Sequence, residues 1–439
     1  MGSMAREVSL QCLILSEKRN AWSDISLRNA IRQAQFSARD AGLCTRLTYG
    51  VLQNQMLLDW HIDRLSSRPS EQLDTGVRNA IRLGLYQLLF LDRVPPHAAV
   101  NESVTLGKKY AKNPKSASLI NGVLRNFLRQ QESGQCPTPE DISIRYSHPS
   151  WFVKEFSQLL PPEELEAFLQ ANNSQPLIQA QTNLLKTTAN TLTAELTAAG
   201  VTVTPHPWMP DCLNLENTGN LEKLTAFCEG RFYVQDSAAR AAVTAAAPQP
   251  GMRIMDACGA PGGKSFAAAI AMEDQGELFC CDLHPHKEKL IQEGAKRLGI
   301  QHIQTAVSDA RHFCPEWENA FDLVLADVPC SGLGIIRKKP DIRYKEPKPL
   351  ENLPVIQRDI LLNVAKYVKL GGVLLYSTCT LLPRENDDVV SWFLKQNENF
   401  CLEPFTLPGP IGQTNGCITL WPHRHQSDGF FIAKLRRKA

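Results

Sequence analysis

The chain has 439 residues, a hydrophobic share of 43% and a net charge of +2, which describes an ordinary globular protein of two or three domains. This charge excludes a uniformly basic protein, so that any nucleic-acid surface must be local. No run of 18 apolar residues occurs, so we expect no membrane span.

The 13 cysteines are scattered and form no C-x-x-C pair. This pattern argues against a disulfide framework and against a zinc site, so we expect no bound metal and a cytoplasmic protein with reduced thiols. We also expect a monomer. Met1-Gly2-Ser3 resembles a cloning remnant, and we expect the natural chain to begin at Met4.

Residues 4–135 have helical periodicity without a strand pattern, which predicts a separate all-α domain. Basic residues cluster late in this segment, with Asn121 and Gly122 between them. They could bind RNA phosphates or form a solvated helix face, and the sequence leaves both readings open. The basic residues are Lys108, Lys109, Lys112, Lys115, Arg125 and Arg129.

The middle of the chain predicts a small α+β module over residues 145–228, after a linker at Cys136-Pro137-Thr138-Pro139. Its role as a substrate platform or a spacer stays open. In residues 229–439, strands alternate with helices, which predicts a parallel Rossmann-like sheet with helices on both faces. Ligands of such sheets bind outside the carboxyl ends of the strands.

A glycine loop follows the first strand of this predicted sheet, in the sequence Cys258-Gly259-Ala260-Pro261-Gly262-Gly263-Lys264. It is not a phosphate-binding P-loop, because Cys258 stands where that motif needs glycine, and Pro261 breaks the dinucleotide spacing. A nucleoside ligand with little or no phosphate remains. Asp282 lies at the spacing expected for an acid that binds ribose hydroxyls, and Asp309 could hold a base edge.

Two cysteines follow later strands, where a covalent reaction could take place. Cys330 comes after Asp327-Val328-Pro329, and Cys379 comes after Tyr376-Ser377-Thr378. Both should lie at the same edge of the sheet. Two thiols beside an acid suit a nucleophile with a proton-transfer partner.

Three motifs resemble those of S-adenosylmethionine-dependent RNA cytosine-5 methyltransferases: Asp-x-Cys-x-Ala-Pro-Gly-Gly-Lys, Asp-x-Pro-Cys-Ser-Gly and Ser-Thr-Cys. The whole chain is similar to bacterial 16S ribosomal RNA methyltransferases of the Sun/Fmu (RsmB) type. Val94-Pro95-Pro96-His97 and Ile120-Asn121-Gly122-Val123 resemble the NusB-type helical domain of that family. His148-Pro149-Ser150-Trp151 and Asp428-Gly429-Phe430-Phe431 extend the likeness nearly end to end.

The resemblance implies a catalytic residue or a cofactor contact at each motif position. Residues Cys258 to Lys264 would wrap S-adenosylmethionine, with Asp282 on its ribose, Asp309 by its adenine and Asp327 between cofactor and base. It further implies Cys379 as the nucleophile and Cys330 as the residue that assists release. Lys264 could help to ionise Cys379.

The sequence departs from the family pattern at a few positions. Gly259, Val328 and Thr380 are small changes, whereas Gln181 stands where arginine is more usual and puts one RNA contact in doubt. Three alternatives also remain at this stage: a non-catalytic RNA-binding or antitermination factor, a nitrogen methyltransferase and a cytosine-5 methyltransferase of tRNA.

Overall fold

The computed structural model describes residues 2–19, 23–113 and 115–438. Their contacts divide the chain into two compact units. Unit 1 comprises the described residues of Met1–Gln175 together with Ile336–Lys345, and unit 2 comprises Pro176–Ile335 and Glu346–Ala439 as far as they are described. The three predicted domains (residues 4–135, 145–228 and 229–439) divide the chain at other positions and remain a prediction.

The described part of unit 1 contains helices and no strand, and over residues 4–135 this agrees with the predicted all-α domain. Its helices are α1 Gly2–Arg19, α2 Ser23–Ala34, α3 Ala38–Gln53, α4 Gln55–Leu65, α5 Thr75–Phe90, α6 Pro96–Tyr110, α7 Ser116–Glu132, α8 Ile142–Arg145, α9 Ser150–Ser157 and α10 Pro162–Asn172. Asp74 caps α5 by accepting a hydrogen bond from the Gly76 amide at 3.0 Å. Helix α5 is buried along most of its length and forms the centre of this core.

Close helix packing in unit 1 depends on two glycines. A Cβ atom at Gly84 of α5 would lie 2.6 Å from Leu124, and one at Gly107 of α6 would lie 2.0 Å from Ile120. Since Leu124 and Ile120 both belong to α7, the missing side chains let α7 approach α5 and α6 closely.

A short segment that follows Cys330, Ile336–Lys345, packs within unit 1 through a buried arginine. Arg343 is fully buried and donates to the carbonyls of Gln53 at 3.0 Å and Ser147 at 3.1 Å. It also donates to Asn173 Oδ1 at 2.7 Å. Burial lowers the pKa of this guanidinium to about 10. By its position in the chain this segment was predicted to belong to the catalytic domain, since a sequence pattern does not show which distant carbonyl groups an arginine will bind.

Unit 2 contains a small antiparallel sheet and a large mixed sheet. The small sheet has the order β2-β3-β1-β4 and packs against α11. Its elements are β1 Ile178–Thr182, α11 Ala189–Ala198, β2 Thr202–Pro205, β3 Cys212–Glu216, α12 Thr225–Cys228 and β4 Phe232–Val234. Gln181 of β1 is buried and donates to the Gln235 carbonyl at 3.0 Å, so this side chain faces the interior.

The large sheet has the order β10-β14-β9-β8-β5-β6-β7, with β13 beside β14, and a short ribbon β11-β12 stands apart. The strands are β5 Arg253–Asp256, β6 Glu277–Asp282, β7 Ile303–Val307, β8 Phe321–Asp327, β9 Val368–Thr378, β10 Phe400–Leu402, β11 Phe405–Leu407, β12 Gly412–Thr414, β13 Cys417–Leu420 and β14 Phe430–Arg437. The helices are α13 Ser237–Ala246, α14 Gly263–Ala271, α15 Pro285–Leu298, α16 Leu353–Val364, α17 Asp387–Gln396 and α18 Pro422–His425.

Strands β5 to β9 pair in parallel, as predicted, but the expectation of a wholly parallel sheet is wrong at one edge. Strand β14 runs antiparallel to β9, with Phe431 opposite Thr378, and β10 and β13 run antiparallel to β14. Alternate strand residues enter two separate cores. Leu323 and Leu325 face α13 to α15, whereas Val324 and Ala326 face α16 and α17. Helices therefore cover both faces, as predicted.

No helix among the described residues is long and apolar enough to cross a bilayer.

Candidate active site

The loop between β5 and α14 has no room for larger side chains. Gly262 has φ +105°, and a Cβ atom there would lie 2.4 Å from the ring of Phe266. A Cβ atom at Gly259 would lie 2.4 Å from Cys280 Sγ. The departure from alanine at Gly259 thus fits the sulfur atom of Cys280, which occupies the place of a side chain.

Beneath the loop lies Asp256, a carboxylate whose role the sequence analysis left unassigned. It is fully buried and accepts a hydrogen bond from Ser265 Oγ at 2.7 Å, while its Oδ1 has no partner among the described residues. Burial raises the pKa of Asp256 to about 6, against the opposing effects of Ser265 and Lys264. Its position at the end of a buried strand was the available signal.

Lys264 and Asp327 form an ion pair at the carboxyl edge of the sheet. The Lys264 Nζ to Asp327 Oδ2 distance is 2.7 Å, and Ser377 Oγ donates to the other oxygen of Asp327 at 2.8 Å. Burial disfavours the Lys264 ammonium, but Asp327, Asp256 and Cys379 together hold its pKa above the ordinary value. Lys264 therefore stays charged, although it is mostly buried.

The two predicted cysteines lie side by side, as expected from their strand ends. Their sulfur atoms are 3.3 Å apart, and both residues are partly exposed. A hydrogen bond to Cys379 and burial raise the pKa of Cys330 well above its ordinary value, so this thiol keeps its proton at neutral pH. By contrast, Cys12 and Cys44 are buried thiols of unit 1.

Asp282 and Asp309 follow adjacent strands but differ in their surroundings. Asp282 is buried and accepts the His284 amide at 3.0 Å, with Lys287 Nζ 3.3 Å from its Oδ1. Arg311 binds both oxygens of Asp309, and this contact lowers the pKa of Asp309 to about 2. The two acids are neighbours, because the Ser308 amide donates to the Asp282 carbonyl at 3.0 Å.

The predicted RNA-binding residues all lie at the surface of unit 1, on α6, on α7 and between them. Lys109 pairs with Glu7 at 2.5 Å, and Arg125 donates to Asn121 Oδ1 at 2.9 Å. We call this set the basic face; it comprises Lys108, Lys109, Lys112, Lys115, Arg125 and Arg129, all exposed.

A set of buried polar side chains that the sequence did not predict contacts the loops around Cys330 and Cys379, which we call the cysteine loops. Gln357, Glu385 and Asn386 are almost inaccessible to solvent. Glu385 and Asn386 follow Cys379 by only six and seven residues, which was the one local signal.

Three segments of the chain match family models of known proteins. Residues 243–436 match the family described as 16S rRNA methyltransferase RsmB/F, residues 3–129 match the NusB family, and residues 148–222 match the ferredoxin-like domain of RsmF/B-like methyltransferases. A Synechocystis protein named probable ribosomal RNA small subunit methyltransferase B is 36% identical over 99% of both chains.

Two further relatives agree with these matches. A Bacillus subtilis protein of the same name is 34% identical over 99% of this chain and 98% of its own. The crystal structure of PH0851 aligns over 99% of this chain and 98% of its own, with a TM-score of 0.80 and 27% identity. The chain belongs to the RsmB/F family of 16S rRNA methyltransferases.

Proposed function

We propose that this protein transfers a methyl group from S-adenosylmethionine to carbon 5 of a cytosine in 16S ribosomal RNA, through a covalent cysteine adduct. The observation that carries this proposal is the pair of thiols, with sulfur atoms 3.3 Å apart, at the sheet edge that also holds the Lys264–Asp327 ion pair. Family membership and the names of the relatives support the substrate.

The residues at the carboxyl edge of the sheet fit S-adenosylmethionine. The loop after β5 presents Pro261, which is exposed, and Ala260 and Gly263, which are partly exposed, to a nucleoside, and Asp282 offers a carboxylate to ribose hydroxyls. Asp256 and Asp327 together with the charged Lys264 leave one net negative charge, which suits a positively charged ligand, and one buried oxygen of Asp256 lacks a described hydrogen-bond partner. Bound there, the cofactor supplies a methyl group on a cationic sulfur.

In the proposed reaction, Cys379 acts first. Its thiolate adds to carbon 6 of the cytosine, and the electron pair of the carbon 5–carbon 6 double bond then makes carbon 5 nucleophilic. As the thiolate adds, the ring nitrogen next to carbon 4 takes up a proton from solvent. The Asp327 carboxylate, held in place by Lys264 and Ser377, accepts a hydrogen bond from the resulting N–H, which gives the proton back on release. Carbon 5 takes the methyl group while Cys379 remains bonded to carbon 6.

Cys330 completes the proposed cycle by assisting release. Once Cys379 is bonded to carbon 6, Cys330 gives up its thiol proton to solvent. The Cys330 thiolate then accepts the carbon 5 proton, the double bond reforms, and the carbon–sulfur bond breaks to return the Cys379 thiolate and the Cys330 thiol. The main causes of the raised Cys330 pKa are its hydrogen bond to Cys379 and burial. Because bonding of Cys379 to carbon 6 removes the first cause, Cys330 becomes more acidic only after the attack, when a base is needed.

We further propose that the basic face binds phosphates of the RNA. Its six exposed cations are concentrated on α6, on α7 and between them, which is compatible with a net charge of only +2 for the whole chain. The alternatives left open by the sequence are not favoured: a non-catalytic factor does not need two adjacent thiols, and the relatives are named for ribosomal rather than transfer RNA.

Product mapping tests the proposal directly. The protein is incubated with S-adenosylmethionine in three parallel reactions. One contains protein-free 16S ribosomal RNA, one contains assembled small subunits, and one contains bulk tRNA. We expect 5-methylcytosine at a discrete position of the 16S molecule in at least one ribosomal preparation. Methyl groups on a nitrogen atom, transfer to tRNA alone or no transfer at all would contradict it.

A further inference from the structure

The loop that carries Cys330 is held on both sides of the cysteine by buried side chains. The amide of Ser331, just after it, donates to Glu385 Oε2 at 2.9 Å. The carbonyl of Pro329, just before it, accepts a hydrogen bond from Gln357 Nε2 at 3.0 Å, and this same nitrogen donates to Glu385 Oε2 at 3.0 Å. Glu385 therefore anchors the backbone on either side of Cys330, directly and through Gln357.

The loop that carries Cys379 is held in the same manner by the next residue of the chain. Thr378 Oγ1, before the cysteine, donates to Asn386 Oδ1 at 2.6 Å. Asn386 Nδ2 donates to the carbonyl of Thr380, after the cysteine, at 3.1 Å. Asn386 thus spans Cys379 with one donor and one acceptor.

The two side chains that hold the cysteine loops belong to consecutive residues, Glu385 and Asn386. The hydroxyls of Ser331 and Thr380 lie 2.7 Å apart and join the two cysteine loops directly. Tyr376 of β9 donates its hydroxyl to the Glu385 carbonyl at 2.6 Å, which ties the dipeptide to the sheet. Since Glu385, Asn386 and Thr380 are almost completely buried, these hydrogen bonds do not compete with water.

We propose that Glu385 and Asn386 are positioning residues that set the two sulfur atoms for successive steps of the reaction. Glu385 places Cys330 for release, and Asn386 places Cys379 for attack. This inference rests on the proposed covalent function. Neither side chain contacts the sulfur atoms through a described hydrogen bond. Glu385 therefore acts through the Ser331 amide, and Asn386 acts through the Thr378 hydroxyl and the Thr380 carbonyl. A misplacement of about 1 Å at a reacting atom can slow a step by roughly 10²-fold.

The Glu385 variants separate positioning from proton transfer. Glu385→Ala frees the Ser331 amide, so we expect attack and methylation to proceed and release to slow by roughly 10²-fold. A methylated enzyme–RNA adduct should then accumulate on denaturing gels, as with Cys330→Ala. Glu385→Gln keeps an acceptor oxygen for the Ser331 amide, and it should restore release to within about tenfold of the parent protein.

The Asn386 variants should affect the earlier step. Asn386→Ala removes both contacts around Cys379, so we expect the rate of adduct formation to fall by roughly 10²-fold with little change in RNA affinity. Asn386→Asp keeps the acceptor for Thr378 but loses the donor to Thr380, and an intermediate loss is expected. No adduct should accumulate in either variant.

Asn183→Ala serves as the matched control. Asn183 is also fully buried in unit 2, and its Nδ2 donates to the carbonyls of Gly230 and Leu298 rather than to the cysteine loops. It should lower thermal stability without changing which step is slow. Calorimetry of S-adenosylmethionine binding identifies any variant in which the carboxyl edge of the sheet is no longer folded.

The outcomes distinguish this inference from the proposed function. If Cys330→Ala traps RNA but Glu385→Ala only melts earlier, with normal release, the positioning role of Glu385 is wrong and the covalent function stands. If Asn386→Ala accumulates adduct, or Asn183→Ala reproduces either pattern, the assignment of separate steps is wrong. If Cys330→Ala traps nothing and Cys379→Ala still turns over, the covalent function itself fails.

Discussion

The carboxyl edge of the large sheet in unit 2, which carries Cys330 and Cys379 and is called the cysteine edge here, differs from the basic face of unit 1 in how its side chains are held. At the cysteine edge, neighbouring side chains fix two partly exposed sulfur atoms 3.3 Å apart. On the basic face, six exposed cations extend into solvent. Lys109 pairs with Glu7 and lies over the Tyr110 ring, and Arg125 contacts Asn121. Bond formation needs defined geometry, whereas attraction to phosphates needs only charge.

This contrast predicts different kinds of failure. Changes at the cysteine edge should stop or stall one chemical step while leaving RNA affinity intact. Changes on the basic face should weaken affinity in a graded, salt-dependent manner and leave the chemical steps unchanged.

The largest effect is expected from Cys379→Ala. Without the nucleophile, carbon 5 cannot be activated, and we expect methyl transfer to fall by at least about 10⁴-fold with no covalent RNA. Single-turnover transfer of a labelled methyl group measures this. Cys417→Ala, which removes another half-buried thiol of unit 2, should retain the parent rate. Equal rates for the two variants would contradict the assignment.

A smaller effect is expected from Asp282→Ala, which removes the acid proposed for the ribose hydroxyls. Losing a hydrogen bond to a charged group costs about 1.5–3 kcal/mol, so calorimetry should show cofactor binding weakened by roughly 10- to 150-fold. Asp322→Ala is the control, because Asp322 also accepts a backbone amide, that of Arg253, and pairs with Lys369. Unchanged affinity in Asp282→Ala would remove Asp282 from the cofactor site.

The basic face gives the graded comparison. If Lys108, Lys109 and Lys112 each contact a phosphate, changing all three to alanine should flatten the slope of log affinity against log salt by roughly 2 to 3. RNA affinity measured between low and moderate salt tests this. The control changes Lys289, Lys296 and Lys395, three exposed lysines of unit 2, and alters the net charge equally. Identical slopes in the two variants would make the basic face a solvated helix surface only.

The smallest effect concerns Gly259. In Gly259→Ala the new methyl group meets Cys280 Sγ, and we expect a loss of about 1 kcal/mol in the free energy of unfolding, measured with denaturant. Adding Cys280→Ala removes the shortest contact of that methyl group and leaves the one with Asp256, so the loss in the double variant should be smaller than the sum of the single losses. If the losses of the two single variants add up to the loss of the double variant, Cys280 is not the reason for glycine at position 259.

The sequence predicted those parts of the site that lie in continuous motifs. The glycine loop, the Lys264–Asp327 edge and both cysteines lie at strand ends, where chain order alone places them together. The roles of Glu385 and Gln357 were not predicted, because a buried polar residue cannot be distinguished from a surface residue in the sequence until its distant partners are known. Arg343 escaped for the same reason, since its carbonyl acceptors come from other parts of unit 1.

The antiparallel β14 shows a different limit of the sequence. An apolar run such as Phe430–Leu435 predicts a buried strand, but its composition is the same for either direction. The direction follows only from the pairing with β9.

The mass of the covalent species formed by Cys330→Ala tests the central claim most directly. Loss of a general base slows its step by about 10²–10⁴-fold, so the adduct should survive long enough to be digested and weighed. The account predicts a peptide that contains Cys379 bonded to a cytidine carrying one added methyl group, from a 16S ribosomal RNA substrate. A cytidine without the methyl group, or a bond through Cys330 formed in Cys379→Ala, would contradict it.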